Sequence, residues 1–301
     1  MSTFEEHRSL LAGVAYRILG SVADAEDVVQ EAWLRWSRVD EAGVDDARAY
    51  LVRVTSRLAL DRLRWAKSRR ESYVGPWLPE PISTAPDAAE HAEVAESVEM
   101  ALLVVLETLS PLERAVFVLR EAFDLPFAEI AEIIARSEPA TRQLARRARE
   151  HVREKRPRFD VDREQRRRMT ERFVSASAEG DLDTLIAMFA DEVTMVTDGG
   201  GKARAALRTI TGAENVGRFL TSISRPENLA RFMSSVGLAR AEGVSFGSAV
   251  LNNAPAIVVS AAGRVVTVIS LEVSEGRIST IYLIANPDKI AHLEPAASEA
   301  G

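Results

Sequence analysis

The sequence holds no cysteine, only four histidines in 301 residues, and 6% Phe, Trp and Tyr. The lack of cysteine rules out disulfides, a thiolate nucleophile and cysteine-ligated zinc, and it fits a reducing compartment. No uninterrupted apolar run reaches the roughly 18 residues that a membrane-spanning helix needs. The first residues, MSTFEEHRSL, lack a basic stretch followed by a long apolar run, so no secretory signal is visible. The expectation is a cytoplasmic protein that does not engage a membrane. Glycine and proline are both missing between Gly43 and Gly75, so nothing there interrupts a helix.

The length suggests about two or three domains. Hydrophobic content is 47% and charged content 28%, ordinary for a globular chain. The net charge of −7 is unevenly placed. Between Arg48 and Glu71 stand eight Lys or Arg, against Asp61 and Glu71. From Glu138 to Arg172 there are thirteen against seven. An earlier stretch is acidic, with Asp24, Glu26, Asp27 and Glu31. Local patches set the field that a phosphate backbone feels.

Residues 4–73 read as helices. Leu10, Leu11, Val14, Ala15, Ile18 and Leu19 follow a helical period, and Gly20-Ser21 breaks it. Asp24–Trp36 is a second helix with Val28, Val29, Ala32, Trp33 and Trp36 on one face, and Asp45–Trp65 a third. Four prolines in Gly75–Pro86 then mark an extended linker over 74–96, with Trp77 and Leu78 inside it. Helices resume at about Glu96. Ser110-Pro111-Leu112-Glu113 is a capping box with proline at the first helical position. Phe127–His151 reads as two helices around a tight break at Arg136-Ser137-Glu138. Ser137 is the N-cap and Pro139 lies in the first turn. The second helix carries Arg142, Gln143, Arg146, Arg147 and Arg149 and runs out near Pro157. This is the shape and charge of a helix-turn-helix that enters a DNA major groove. The alternative is a helical hairpin with a solvated basic face.

From about Asp162 the pattern changes. Helices are expected over Glu164–Glu179, Leu182–Phe189 and Ala213–Ile223, with strands over Val193–Thr197, Ala249–Leu251, Ala256–Ser260, Val265–Val273 and Ile278–Ile284. Helices followed by a curved antiparallel sheet form an α+β layout. The run Gly199-Gly200-Gly201 lacks P-loop spacing and reads as a turn whose bare backbone lets another segment approach. Asp198, Glu272 and Tyr282 are the side chains that could do chemistry in a cavity of such a domain. They form no recognisable catalytic pair. No metal or cofactor site is expected.

The whole resembles a known family. Asp24-Ala25-Glu26-Asp27-Val28-Val29-Gln30-Glu31 with Ala47–Glu71 resembles region 2 of a small bacterial sigma factor of the extracytoplasmic-function (ECF) type. Leu109–Arg114 with the helix-turn-helix resembles its region 4. Residues 162–293 look like a SnoaL-like cone, and WLPEP (Trp77–Pro81), DGGGK (Asp198–Lys202) and NPDK (Asn286–Lys289) mark a subgroup that carries this fused domain.

The resemblance implies a multidomain protein: two all-α sigma domains over 4–73 and 97–157, and a C-terminal α+β cone over 162–293. It implies a non-enzymatic promoter-specificity subunit with core RNA polymerase, through its β′ clamp helices and β flap, and promoter DNA as partners. Asp24, Glu26, Asp27, Gln30 and Glu31 would dock on polymerase. Arg53, Arg57, Arg62 and Arg64 would contact the −10 element, though Arg57 stands where many relatives have Asn. Arg142, Gln143, Arg146, Arg147 and Arg149 would serve the −35 element. Trp77, Leu78 and Pro79 would dock against Asp198, Gly199, Gly200, Gly201 and Lys202, with Asn286, Pro287, Asp288 and Lys289 beside them. A small-molecule ligand in the cone and an enzymatic cone tethered to a DNA-binding module remain the alternatives.

Overall fold

The computed structural model describes residues 3–84, 99–155, 163–238 and 243–295. The expected resumption of helix near Glu96, the linker beyond 84, the end near Pro157 and the start at Asp162 lie outside the described residues. The described residues fall into two compact units, 3–72 with 99–155 and 73–84 with 163–295.

The first unit is helical. Helix α1 (Thr3–Leu19) ends at Gly20, whose positive φ of 69° reverses the chain. Ser21 then caps α2 (Val22–Trp36) by accepting from the Asp24 amide at 3.2 Å. After a 3-10 turn at Glu41–Gly43 comes α3 (Ala47–Arg70). Phe4, Leu11, Val29, Ala32, Trp36, Leu51 and Val52 form the core between them. Helix α4 (Met100–Glu107) leads to α5 (Pro111–Glu121), where both halves of the Ser110–Glu113 capping box are present. Helix α6 (Phe127–Ile134) stops at Ala135, which takes φ 53° without being glycine. Ser137 accepts from the Ala140 amide at 3.4 Å and opens α7 (Glu138–Lys155). Ile130, Ile133, Ala145 and Ala148 bury the face where α6 meets α7.

The second unit opens with the extended segment 73–84 and continues, after α8 (Arg163–Glu179) and α9 (Leu182–Ala187), into a six-stranded sheet. Its strands are β1 (Phe189–Asp198), β2 (Ile210–Thr211), β3 (Ser245–Leu251), β4 (Ala254–Ala261), β5 (Arg264–Ser274) and β6 (Arg277–Ile284), in the order β2-β1-β6-β5-β4-β3. Helices α10 (Ala213–Ser224) and α11 (Pro226–Ser235) join β2 to β3, and α12 (Pro287–Ile290) follows β6.

The sheet is mixed, which corrects the all-antiparallel expectation. β1 runs parallel to β6, with Met195 level with Ile281. The last strand returns beside the first only after the rest of the sheet has formed, so nothing local in the sequence signals that pairing. Helix α11 was not foreseen, and Phe189 belongs to β1 and not to the preceding helix. Three two-residue hairpins use left-handed pairs suited to type I′ turns: Asn252-Asn253 (φ 49° and 58°), Ala262-Gly263 (50° and 72°) and Glu275-Gly276 (52° and 76°).

Strand alternation gives the sheet two unlike faces. Met195, Ile257, Ile269, Leu271, Ile281 and Leu283 point to the side where Phe173, Leu185, Val216 and Leu220 bring in α8 to α10, and together they fill the cone. The other face carries Val196, Asp198, Tyr282, Ser270, Glu272, Val268 and Val258, as the ladder registers require.

Candidate functional site

On α7 the cations differ in how firmly they are held. Arg142 pairs with Glu138 at 2.5 Å and lies 4.6 Å over the Phe127 ring. Arg146 pairs with Glu150 at 2.9 Å, a surface contact that holds the carboxyl below its usual range. Such i,i+4 surface pairs contribute little and yield readily to a phosphate. Arg149 reaches across to Glu121 on α5 at 2.7 Å and ties α7 to its neighbour. Gln143 and Arg147 are exposed.

Helices α2 and α3 are joined by charge. Arg62 donates from Nε to Asp24 at 2.8 Å and from Nη2 to Asp27 at 2.9 Å, and both carboxylates raise its pKa. Two residues assigned to polymerase and one assigned to DNA therefore occupy one another. Arg64 pairs with Asp61 at 2.9 Å and Glu31 with Arg35 at 3.0 Å. Glu26 and Gln30 remain exposed on α2. Beside them Trp33 is 47% exposed and Leu34 39%, so Trp33 is not on the buried face where its periodicity put it. The true core face runs through Val29, Ala32 and Trp36. Trp65 also lies outside the core, at 52% exposure, with Arg62 over its ring. Arg53 and Arg57 point at Glu132 on α6.

In the second unit the three sequence motifs meet. Asp198, fully buried at the end of β1, accepts three hydrogen bonds: from the Tyr73 hydroxyl at 2.5 Å, the Leu78 amide at 2.8 Å and Lys289 Nζ at 2.7 Å. Lys289 is 2% exposed, donates also to the Leu78 carbonyl at 2.5 Å, and lies against the Trp77 ring. A buried ion pair is tolerated only when its remaining hydrogen-bonding capacity is met, and here donors and acceptors are matched. Burial first, then the bond to Asp198, pushes the Tyr73 hydroxyl well above the ordinary tyrosine range.

The glycine loop is shaped by this contact. A Cβ on Gly200, which has φ 60°, would stand 2.4 Å from Asn286 Nδ2, and one on Gly199 2.3 Å from the Ala203 carbonyl oxygen. Asn286 donates to the Tyr73 hydroxyl at 2.8 Å and caps α12. Lys202 and Asp288 form an exposed pair at 2.5 Å.

Beyond Leu78 the segment stays attached. The Ile82 amide donates to Asn252 Oδ1 at 3.2 Å, the Asn252 amide to the Ile82 carbonyl at 2.9 Å, and the Thr84 amide to the Val250 carbonyl at 3.0 Å. His292 Nε2 lies 2.8 Å from the Pro81 carbonyl oxygen. These anchors lie at the end of β1 and on β3 with its hairpin, four places apart in the strand order. The segment is a strap fastened at Leu78 to the end of β1 and paired antiparallel with β3 at Ser83.

Asp198, Glu272 and Tyr282 were read as candidate chemistry for a cavity. They lie on the strap-side face, turned away from the filled interior of the cone. A hollow of about 230 Å³ lies elsewhere, against Val236, Val266, Ile290 and Leu293. Among the described residues no group of His, Asp and Glu could hold a metal ion, and no helix is long and apolar enough to cross a membrane.

The second helical module ends in an exposed cationic helix after a tight turn, the arrangement of a DNA-binding helix-turn-helix. Residues 3–69 match the family Sigma-70 region 2, and residues 99–152 match Sigma-70, region 4. Over 227 residues the chain is 45% identical to the ECF RNA polymerase sigma factor SigJ of Mycobacterium tuberculosis, covering 74% of this chain and 72% of that protein. Over 219 residues it is 38% identical to the probable ECF sigma factor SigI of the same species, covering 72% and 74%. The crystal structure of M. tuberculosis SigJ matches with a TM-score of 0.74 at 38% identity, covering 95% of this chain and 96% of that one. The chain belongs to the ECF RNA polymerase sigma factor family, whose members act with core RNA polymerase on promoter DNA.

Proposed function

We propose that this sigma factor is a cytoplasmic, non-enzymatic promoter-specificity subunit controlled by its own C-terminal cone. In this reading α7 contacts the −35 element, with Gln143, Arg142 and Arg146 toward base edges and Arg147 toward phosphate. Helix α3 contacts the −10 element, and the module of α4 to α7 meets the β flap. The exposed part of α2, Glu26 and Gln30 with Trp33 as an apolar anchor, docks on the β′ clamp helices. Arg62, bonded to Asp24 and Asp27, positions α2 against α3.

The observation that carries the regulatory part is the burial of Asp198 and Lys289 on the strap. The strap is the stretch of chain between regions 2 and 4, so its grip on the cone governs how much free tether separates them. Run-off transcription with purified core polymerase tests this by comparing the full chain with one ending near Pro157. A changed promoter output supports it, and identical output overturns it. A catalytic cone is disfavoured because the strap occupies Asp198, because Glu272 and Tyr282 lie on the same outer face of the sheet, and because the cone's interior is packed with apolar side chains.

A further inference from the structure

Four basic side chains of α3, Arg53, Arg57, Lys67 and Arg70, are turned onto region 4. Arg53 Nη1 stands 3.4 Å from the Glu132 carboxylate of α6, and Arg57 Nη2 donates to the Glu132 carbonyl at 2.9 Å. Lys67 donates to the Leu109 carbonyl at 3.1 Å. Arg70 pairs with Glu107 of α4 and donates to the Leu19 carbonyl at 3.0 Å. Arg114 of α5 takes the other Glu107 oxygen at 2.6 Å and donates to the Arg17 carbonyl at 3.2 Å. Glu107 is thus one carboxylate shared by two guanidiniums, with side-chain exposures of 13% for Arg70, 1% for Arg114 and 15% for Glu107 itself.

We propose that region 4 masks the DNA-contacting face of α3 in the free chain, with Glu107 as the latch and Glu132 occupying the place of a DNA phosphate. The inference rests on the assignment of α3 to DNA made above. Its logic is competition: the donors that hold Glu132 are the ones a phosphate would take. The two contacts differ in strength. Glu132 is 61% exposed, so its pair with Arg53 is weak and exchangeable. The Glu107 triad is largely buried, and removing its carboxylate takes away the charge that the two guanidiniums share. Closure therefore depends on Glu107, while Glu132 supplies the mimicry.

The absence of cysteine makes the test clean. Asp45→Cys and Glu154→Cys, both at exposed positions, place one dye on each module of the full chain. Energy transfer between the dyes, and affinity for a short single-stranded DNA oligonucleotide, are measured without polymerase. Glu107→Gln is expected to lower the transfer and to raise DNA affinity about tenfold by freeing backbone-contacting cations. Glu132→Ala, a surface change, should shift both readings the same way by less. Should Glu107→Gln lose its helical circular dichroism, Glu132→Ala decides alone. Unchanged transfer in both variants overturns the latch. Lowered transfer with no gain in affinity overturns the masking, and with it the assignment of α3 to DNA.

Discussion

Lys289 holds its ammonium 3.2 Å from the centre of the Trp77 ring while donating to Asp198 at 2.7 Å. One cation therefore fastens the tryptophan of the strap and neutralises the buried acid of the cone. Tyr73 meets the same tryptophan edge-on, with centroids 4.8 Å apart. Strap and cone are joined by a satisfied polar cluster capped by two aromatic rings.

Breaking that cluster from one side should be severe. Lys289→Met leaves Asp198 charged and buried, which costs about 3–5 kcal/mol. Urea unfolding of the full chain should show the loss in the transition of the cone. The double variant Asp198→Asn with Lys289→Met should recover part of it. A single variant as stable as the parent would contradict the described burial. Trp77→Ala removes the ring and leaves the ion pair, so it should alter promoter output while both modules stay folded.

Docking on polymerase should depend on an exposed ring. Trp33→Ala is expected to weaken association with core enzyme by tenfold or more, about 1.4 kcal/mol. Glu31→Ala should do less, since Glu31 is engaged with Arg35 at 3.0 Å. Equal effects in a pull-down titration would remove the anchor role of Trp33.

The recognition helix allows a graded comparison. Arg147→Ala should weaken binding to all duplexes alike and reduce the salt dependence by about one ion. Gln143→Ala should cost about 1–3 kcal/mol on the preferred −35 sequence and little on others. Arg149→Ala should instead lower stability, because Arg149 ties α7 to Glu121 at 2.7 Å. Fluorescence anisotropy across salt concentrations separates the three.

Alkaline pH gives a further check on the strap. Tyr73 has its pKa raised in the folded chain by burial and by Asp198. Above the unfolded value of about 10 the unfolded chain has lost a proton that the folded chain keeps. Stability should therefore fall as pH rises past about 10. Tyr73→Phe should flatten that decline, and thermal melts at several alkaline pH values would reveal it. A decline of the same steepness in both would mean that Tyr73 contributes nothing to it.

The local features were legible in the sequence. The Ser110–Glu113 box, the Ser137 cap and the glycine run are written in neighbouring residues, and the structure shows each in use. What the sequence concealed is what depends on distant partners. Arg62 counted as a free cation because its acids lie 35 and 38 residues away on another helix. Trp33 was assigned inward because a tryptophan between Ala32 and Trp36 suits a buried stripe, and one residue of helical phase decides the matter. Lys289, in a short polar motif, gave no sign of being nearly inaccessible. The parallel pairing of β1 with β6 joins residues more than eighty positions apart.

The strap is fastened at both ends, to Asp198 at Leu78 and to β3 at Thr84. Side chains along it can be exchanged one at a time, but its count of residues cannot change. A single insertion between Leu78 and Thr84 would throw the remaining anchors out of phase, and a deletion would pull one of them loose. The segment thus acts as a fixed ruler in an otherwise adjustable connector: among natural or engineered variants, length changes belong on either side of it and not within it.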